Sequence, residues 1–398
     1  MKVRNRILLI TLKVLLAAAL LGWVLSKAHW NDYIVSADGT SHVCRGHDAN
    51  GGLLVSQGMF DNTTKSVNPA AGGYKPIVQG GSEYIHKGLK SILIDINLWV
   101  LILAAVIYFV GLVLVGIRWW WLVRLQKLDM SLFDALSYTF LGLFFNYVIP
   151  GTIGGDLVKA LYASKRTKHT AVLLVTIFTD RIIGIGAMAM LAIIMLGWVL
   201  LCGNVTVSQV KPAIIAISII SAIIVCGIVF VLSPKLRRML FSHKLFSRMV
   251  ISKHFEHAGN ALNEYRRHPL AMICNSMVGL MVHLTVFGSI ALIGHSLLPN
   301  IPVYRYFIYL PIIYIIGAIP LTPGGVGFIE SMYVEFLAPT AAAVTGLFAV
   351  SLLARIIPII LSLPGLLVAV KGPKISTPDK LERQLEMAEE LEDDKRQQ

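Results

Sequence analysis

The stretch Ile149-Pro150-Gly151-Thr152-Ile153-Gly154-Gly155 decides the architecture, because the chain writes it twice. The second copy is Ile319-Pro320-Leu321-Thr322-Pro323-Gly324-Gly325, and both read Ile-Pro-x-Thr-x-Gly-Gly. Each copy precedes a long apolar run with an arginine inside it, in the same local string: Arg181-Ile182-Ile183 and Arg355-Ile356-Ile357. The two offsets, 170 residues between the breaks and 174 between the arginines, nearly agree. Proline removes a backbone donor and glycine weakens a helix, so Pro150, Gly154 and Gly155 on one side, and Pro320, Pro323, Gly324, Gly325 and Gly327 on the other, interrupt otherwise helical segments.

What surrounds these breaks is apolar. The chain has 398 residues, of which 56% are hydrophobic and 14% charged, against about 25% charged in an ordinary soluble domain. Its mean hydropathy is +0.71. Crossing a bilayer takes ~20 apolar residues. Six such runs are legible, at 7–25, 92–117, 171–201, 213–232, 270–294 and 341–370. The expected fold is an all-α polytopic membrane protein of about six full spans and two re-entrant hairpins, arranged as an inverted repeat.

Charge sets the direction of each run. Lys2, Arg4 and Arg6 hold the N-terminus in the cytoplasm. These residues also open a segment with signal-peptide character, but Lys13 interrupts its apolar core and the region near Lys27 is a poor cleavage site, so 1–25 is expected as an uncleaved first span. Residues 26–91 then lie outside as a loosely folded insertion. The second span returns at Arg118, where Trp119, Trp120 and Trp121 beside Arg124 and Lys127 have the composition of a membrane interface. Residues 132–163 are flanked on both sides by cytoplasmic-type basic residues, with Lys165, Arg166 and Lys168 following. That segment is therefore expected to enter and leave on one side. Segment 233–269 is strongly basic and cytoplasmic, and 306–338 becomes a second hairpin entering from outside. The tail, 371–398, is cytoplasmic and charged. The protein is placed in the cell inner (plasma) membrane with both termini inside.

Broken backbone at membrane depth is tolerated only where protein or a water-filled cavity surrounds it. Ionisable groups there are expensive and need partners. Asp180 and Arg181 lie about 15 Å into their span, at 1.5 Å per residue. Arg355 is similarly deep, Asp156 sits at the first break and Glu330 just beyond the second. Arginine binds phosphate through a planar fork that stays charged, and exposed N–H groups at the Gly-Gly breaks suit anions. Arg181 and Arg355 are therefore candidate contacts for a lipid phosphate, with Asp180, Asp156 and Glu330 holding or balancing them. The competing account is that these charges only lock the bundle. His283, alone in its span, reads as a packed core histidine. Cys44, Cys202, Cys226 and Cys274 show no paired spacing, so neither a disulfide framework nor a metal site is expected.

Asn146-Tyr147-Val148-Ile149-Pro150 through Gly154-Gly155-Asp156 and Lys159, then Asp180-Arg181, then Pro320-x-Thr322-Pro323-Gly324-Gly325-x-Gly327-x-x-Glu330, resembles the lysylphosphatidylglycerol synthase transmembrane-region family, also called flippase-like domain proteins. The likeness covers roughly 92–370. It implies a multi-span membrane fold and translocation of an aminoacylated phosphatidylglycerol, or of lipids in polyprenyl-phosphate sugar pathways. It also brings Asn146, Thr152, Lys159 and Thr322 into the candidate substrate site. Bifunctional members append a large soluble aminoacyl-transfer domain, whereas only 372–398 follows here.

The expected function is a lipid flippase for a phosphate-bearing lipid, not an enzyme, needing no cofactor and binding no nucleic acid. The net charge of +13 is spread over short loops beside apolar spans and reads as contact with anionic lipid headgroups. Two alternatives stand beside this reading. One is a membrane-embedded lipid-modifying transferase, against which the chain has no Asp-x-Asp, no His-Glu-x-x-His and no nucleophile elbow. The other is a non-transporting partner of lipid-synthesis enzymes, docked through 233–269. No Walker A sequence is present, so ATP hydrolysis by this chain is not expected.

Overall fold

A computed structural model describes residues 2–36, 41–47, 53–56, 65–67, 74–75, 85–148, 154–167, 170–202, 205–232, 264–265, 267–319, 321–338 and 343–371. Expectations for the basic segment 233–263 and the tail 372–398 lie outside the described residues.

The chain opens with α1 (Lys2–Lys27) and a small sheet, β1 (Tyr33–Ser36), β2 (Ser41–His47), β3 (Leu53–Ser56), β4 (Lys65–Val67) and β5 (Tyr74–Lys75). Helices follow: α2 (Leu89–Ile94), α3 (Leu98–Leu125), α4 (Leu132–Val148), α5 (Gly154–Thr167), α6 (Thr170–Cys202) and α7 (Val207–Leu232). After the basic segment come α8 (Pro269–Leu297), α9 (Val303–Gly317), a 3-10 turn at Pro323–Gly325, α10 (Phe328–Leu337), α11 (Val344–Ser362) and α12 (Pro364–Lys371). Among the described residues, four helical stretches are long and apolar enough to cross a membrane: Leu98–Leu125, Val172–Cys202, Pro269–Leu297 and Val344–Val370. Shorter apolar helices occupy Leu15–Lys27, Leu132–Val148, Val210–Ile223 and Val303–Gly317. The chain is a multi-pass, mainly helical membrane protein.

Helix ends gather into two layers. In one, the end of α3 (Trp119, Val123), the start of α4 (Ala135), the end of α5 (Ala160, Ala163) and the start of α6 (Leu173, Ile177) share one apolar cluster. In the other, the end of α1 (Val24), α2 (Leu89), the end of α10 (Val334) and the start of α11 (Val344, Phe348) pack together, with Leu297 of α8 against them. The hairpin α4–α5 therefore opens and closes in the first layer. The second hairpin opens and closes in the other, where Arg305 Nη2 of α9 donates to the Phe336 carbonyl of α10 at 3.3 Å.

Contacts between the halves are reciprocal. Helix α3 packs on α8, its counterpart in the repeat. Helix α9 packs on α6, and α4 packs on α11, which is the same relation with the halves exchanged. Such reciprocity is what a two-fold relation between two copies produces. Pairing buries the apolar stripes of both copies, which supplies van der Waals contact that lipid does not offer to a lone helix.

Among its described residues the insertion holds a sheet that its composition does not suggest. Its five strands form an antiparallel sheet in the order β4-β3-β2-β1-β5, around a small core of Ile34, Leu53 and Val55. Among the described residues it is the one β element in a chain expected to be all-α, and it corrects the expectation of a loosely folded segment. The strands are too short, two to seven residues, to display a readable alternation. A latch fixes the sheet to the helices. His29 and His86 sandwich Tyr33, with ring centroids 3.7 and 5.0 Å from it, and the His29 N–H donates to Thr345 Oγ1 at 3.0 Å at the head of α11. Burial pushes the pKa of both imidazoles below the free value of 6.5, helped at His29 by the charge of His86. A lowered histidine pKa means that the unfolded chain binds more protons, so this stability is present above the unfolded pKa of about 6.5 and is lost as pH falls below it. Thermal unfolding of the purified chain is accordingly expected to shift downward as pH is lowered from about 7.5 to 5. A His29→Phe, His86→Phe variant should flatten that dependence, and an unchanged slope would assign it to other groups.

Candidate functional site

Each half places one arginine in the same setting. Arg181 lies eleven residues into α6, counted from Thr170, and Arg355 eleven residues into α11, counted from Val344. At 1.5 Å per residue both stand about 16 Å from the helix start. Nε and Nη2 of Arg181 reach Asp156 Oδ2 at 2.7 and 2.6 Å. Nε and Nη2 of Arg355 both reach Glu330 Oε1 at 2.7 Å. In each case the carboxylate stands 25 residues upstream, on the second arm of its own hairpin. Asp156 to Glu330 is 174 residues, the offset of the arginines, so the carboxylates belong to the repeat as well. The four extra residues over the 170-residue offset of the breaks fall between Gly325 and Glu330.

The breaks themselves differ. Pro150 and Thr152 lie outside the described residues, as does Pro320. In the first hairpin Gly154 and Gly155 do not break a helix; they begin α5. Gly155 faces Gly142 so closely that a Cβ would run into the Gly142 carbonyl, and the Asn146 amide oxygen accepts from the Gly155 N–H at 3.0 Å. Asn146 thus serves the hairpin tip, and its assignment to substrate contact gains no support. In the second hairpin Gly324, Gly325 and Gly327 all have left-handed φ, at 61°, 70° and 78°. Glu330 closes this turn: Oε2 accepts from the Gly327 N–H at 2.7 Å, and Arg355 Nη1 donates to the Gly324 carbonyl at 2.9 Å. The Thr322 hydroxyl is buried without a hydrogen-bond partner among the described residues.

Asp180 corrects the sequence reading. It neither holds Arg181 nor Arg355. Its Oδ1 accepts from Arg118 Nε at 2.7 Å, and its backbone carbonyl accepts from Arg118 Nη2 at 3.3 Å. Arg118 is only 5% exposed, and the Asn275 amide donates to its backbone carbonyl at 3.0 Å. Nor is the tryptophan run a surface belt. Trp119 is fully buried and donates to Thr176 Oγ1 at 3.1 Å, while Trp120 donates to the Met130 carbonyl at 2.9 Å. Helix α3 continues seven residues past Arg118, which draws this arginine into the protein. One signal pointed to it: an acid deep in a span, adjacent to an arginine that another carboxylate claims, requires a second cation.

Lys159 completes the first half. It is 5% exposed, and its ammonium stands 3.8 Å from the centroid of the Trp119 indole. Asp156, Asp180, Arg118 and Arg181 all lie within its electrostatic reach. Around this point three cations, Arg118, Lys159 and Arg181, face two carboxylates, Asp156 and Asp180. His283 meets the edge of the group through the Gly184 carbonyl at 3.0 Å and stacks on Phe287.

The second half is phenolic rather than cationic. The Tyr314 and Tyr333 hydroxyls stand 3.4 Å apart beside the Arg355–Glu330 pair. Tyr147, from the tip of the first hairpin, lies within electrostatic reach of Tyr314 and Arg355. The two half-sites therefore converge through the tip of α4. Arg181 keeps 48% of its side chain exposed, against 21% for Arg355, so the first half is the more open. No group of histidine, cysteine and acidic side chains able to hold a metal occurs among the described residues.

No curated protein and no solved structure matches this chain. A family profile does match, described as the lysylphosphatidylglycerol synthase TM region, and it spans residues 86–365. That span takes in both hairpins and both arginine–carboxylate pairs, and leaves α1 and the sheet outside. The chain belongs to the lysylphosphatidylglycerol synthase TM region family, and is a membrane protein tied to lipid metabolism.

Proposed function

We propose that this protein moves a phosphate-bearing lipid between the leaflets, and that it does so as a transporter rather than an enzyme. The observation that carries the reading is the duplicated arginine–carboxylate pair, set at equal depth in two halves whose hairpins open toward opposite layers. A guanidinium held by a carboxylate is oriented, and its planar fork matches a phosphate as well as it matches a carboxylate. A lipid phosphate competing for Arg181 exchanges one anionic partner for another, so the charge is never stranded in apolar surroundings. Acyl chains stay in the bilayer while the headgroup follows the polar path between the half-sites. Inverted repeats with discontinuous helices around a midplane site are a recurring transporter design. In this reading both hairpins are re-entrant, both termini are cytoplasmic, the sheet faces outward, and the protein resides in the plasma membrane.

Purified chain in liposomes with labelled lipids tests the function. Anionic phosphate lipids, a phosphatidylglycerol and a polyprenyl phosphate among them, are expected to cross faster than in protein-free vesicles and faster than a zwitterionic lipid. Rates equal to protein-free vesicles for every lipid would overturn the proposal. Topology has its own test. In a cysteine-free background, single cysteines replacing Ser131 and Lys165 should both react from the cytoplasmic side, and one replacing Val303 from outside. Opposite sidedness at Ser131 and Lys165 turns the first hairpin into a full span and removes the inverted repeat.

A further inference from the structure

We propose that Lys159 is a proton site that couples lipid movement to a proton gradient, one proton accompanying each lipid monoanion. The inference rests on the translocation reading above.

Its basis is a charge imbalance confined to one half. In the second half Arg355 and Glu330 balance. In the first, Arg118 is committed to Asp180 and Arg181 to Asp156, which leaves the Lys159 ammonium as the surplus. It has no salt bridge among the described residues, and its buried Nζ rests on the face of Trp119. The 174-residue offset carries Lys159 onto Tyr333, which is neutral, fully buried and hydrogen-bonded to Tyr314. The repeat thus duplicates the arginine and the carboxylate and places a titrating base in one copy alone.

The groups around Lys159 decide what it can do. From α3 it faces Arg118 and Trp119, from α6 Asp180 and Arg181, and from its own helix Asp156. Helix α4 presents Gly142 to it, with no charge, and His283 of α8 lies behind Arg118 and Asp180. Arginine does not shed its proton in proteins, so among the three cations only Lys159 can become neutral. Losing that proton strands no carboxylate, because both are held by guanidinium groups. A neutral Lys159 leaves the empty first half balanced. When a phosphodiester lipid enters and carries one negative charge, a proton taken up on Nζ restores the balance. The loaded site then moves with no net charge beyond that of the empty one, and its stoichiometry is one monoanion and one proton.

Linked binding of this kind is reciprocal, and with only the empty and the doubly loaded site reorienting, a proton gradient drives the lipid. The probe is a nitrobenzoxadiazole-labelled phosphatidylglycerol in liposomes containing the purified protein, with the fast phase of dithionite bleaching, read before the leaflets exchange, reporting the bleachable outer share and the slower phase reporting translocation of the inner pool. With the lumen one pH unit more alkaline and the membrane potential clamped at zero by valinomycin and potassium, the probe should gather in the inner leaflet about tenfold, and the bleachable share should fall from about half to about a tenth. The Lys159→Arg chain keeps the charge without a releasable proton, so it should leave the bleachable share at half under the same gradient. Wild-type protein that moves the probe yet leaves it at half, or gathers it in the outer leaflet, overturns the proton coupling while translocation stands. Lys159→Arg protein that still concentrates the probe tenfold assigns the proton to another group and overturns it equally. No protein-dependent bleaching of the inner pool at any pH rejects the translocation of this lipid, and the coupling with it.

Discussion

Replacing Asp180 by alanine is expected to cost about 3–5 kcal/mol of fold stability, the range for removing one partner of a buried ion pair. The Arg118 guanidinium would keep its bond to the Asp180 backbone carbonyl and lose the one carboxylate it pairs with among the described residues. Its Nη1 already lacks a hydrogen-bond partner among the described residues, so there is no spare acceptor to take up the charge. Purified variant in detergent should unfold at a markedly lower temperature than wild type. The double variant Arg118→Met, Asp180→Leu removes both charges with similar volume, and should recover most of that loss because neither desolvation penalty is then incurred. Asp180→Ala protein melting with the wild type would show that water reaches this pair and that it is no buried lock.

The second large effect falls on transport. An Arg181→Lys, Arg355→Lys double variant keeps both charges and both carboxylate partners, but it loses the planar fork at each half-site. A hydrogen bond to a charged group contributes about 1.5–3 kcal/mol, and 1.4 kcal/mol is tenfold, so lipid translocation should fall by about tenfold or more. Insertion should stay near wild type, since an ammonium still pairs with Asp156 and Glu330, while the lost Arg355 bond to the Gly324 carbonyl should lower the melting temperature only modestly. Measuring the melting temperature and the translocation rate on the same preparations separates the two roles. A stable double variant that moves lipid at the normal rate leaves these arginines as structural partners and removes them from the substrate path.

Much of this was legible before any coordinates. Apolar run length and flanking charge located the long helices, because a bilayer imposes both. The doubled Ile-Pro-x-Thr-x-Gly-Gly located the interruptions between α4 and α5 and between α9 and α10, because proline and glycine do not continue a helix. The pairing of Arg181 with Asp156 and Arg355 with Glu330 was half legible: the residue types mark both sites, but only the structure shows that each arginine takes the carboxylate 25 residues upstream. Arg118 was missed because a basic residue beside three tryptophans has the composition of an interface, and composition does not reveal that α3 continues another two turns. The role of Asn146 was hidden for a different reason. A hairpin tip needs an acceptor for the first N–H groups of its second arm, and only geometry shows that the Asn146 side chain supplies it. The sheet was illegible because its strands are short and pair through hydrogen bonds that no side-chain pattern records.

Helix α1 lies outside the repeat, yet it does not stand apart. It packs on the 3-10 turn and on α10, where Gly327 comes so close to the Ala17 carbonyl and the Leu21 nitrogen that a side chain at 327 would collide with the α1 backbone. The first hairpin is braced by a different helix: α12 lies on α4, where a Cβ at Gly365 would run into the Phe140 carbonyl. Two copies that were equivalent in every respect would spend equal time facing either side, since exchanging the copies would turn one orientation into the other. In the translocation proposed above, the two copies are braced by different helices and carry different charges, so that degeneracy is lifted and the resting occupancy of the two orientations differs.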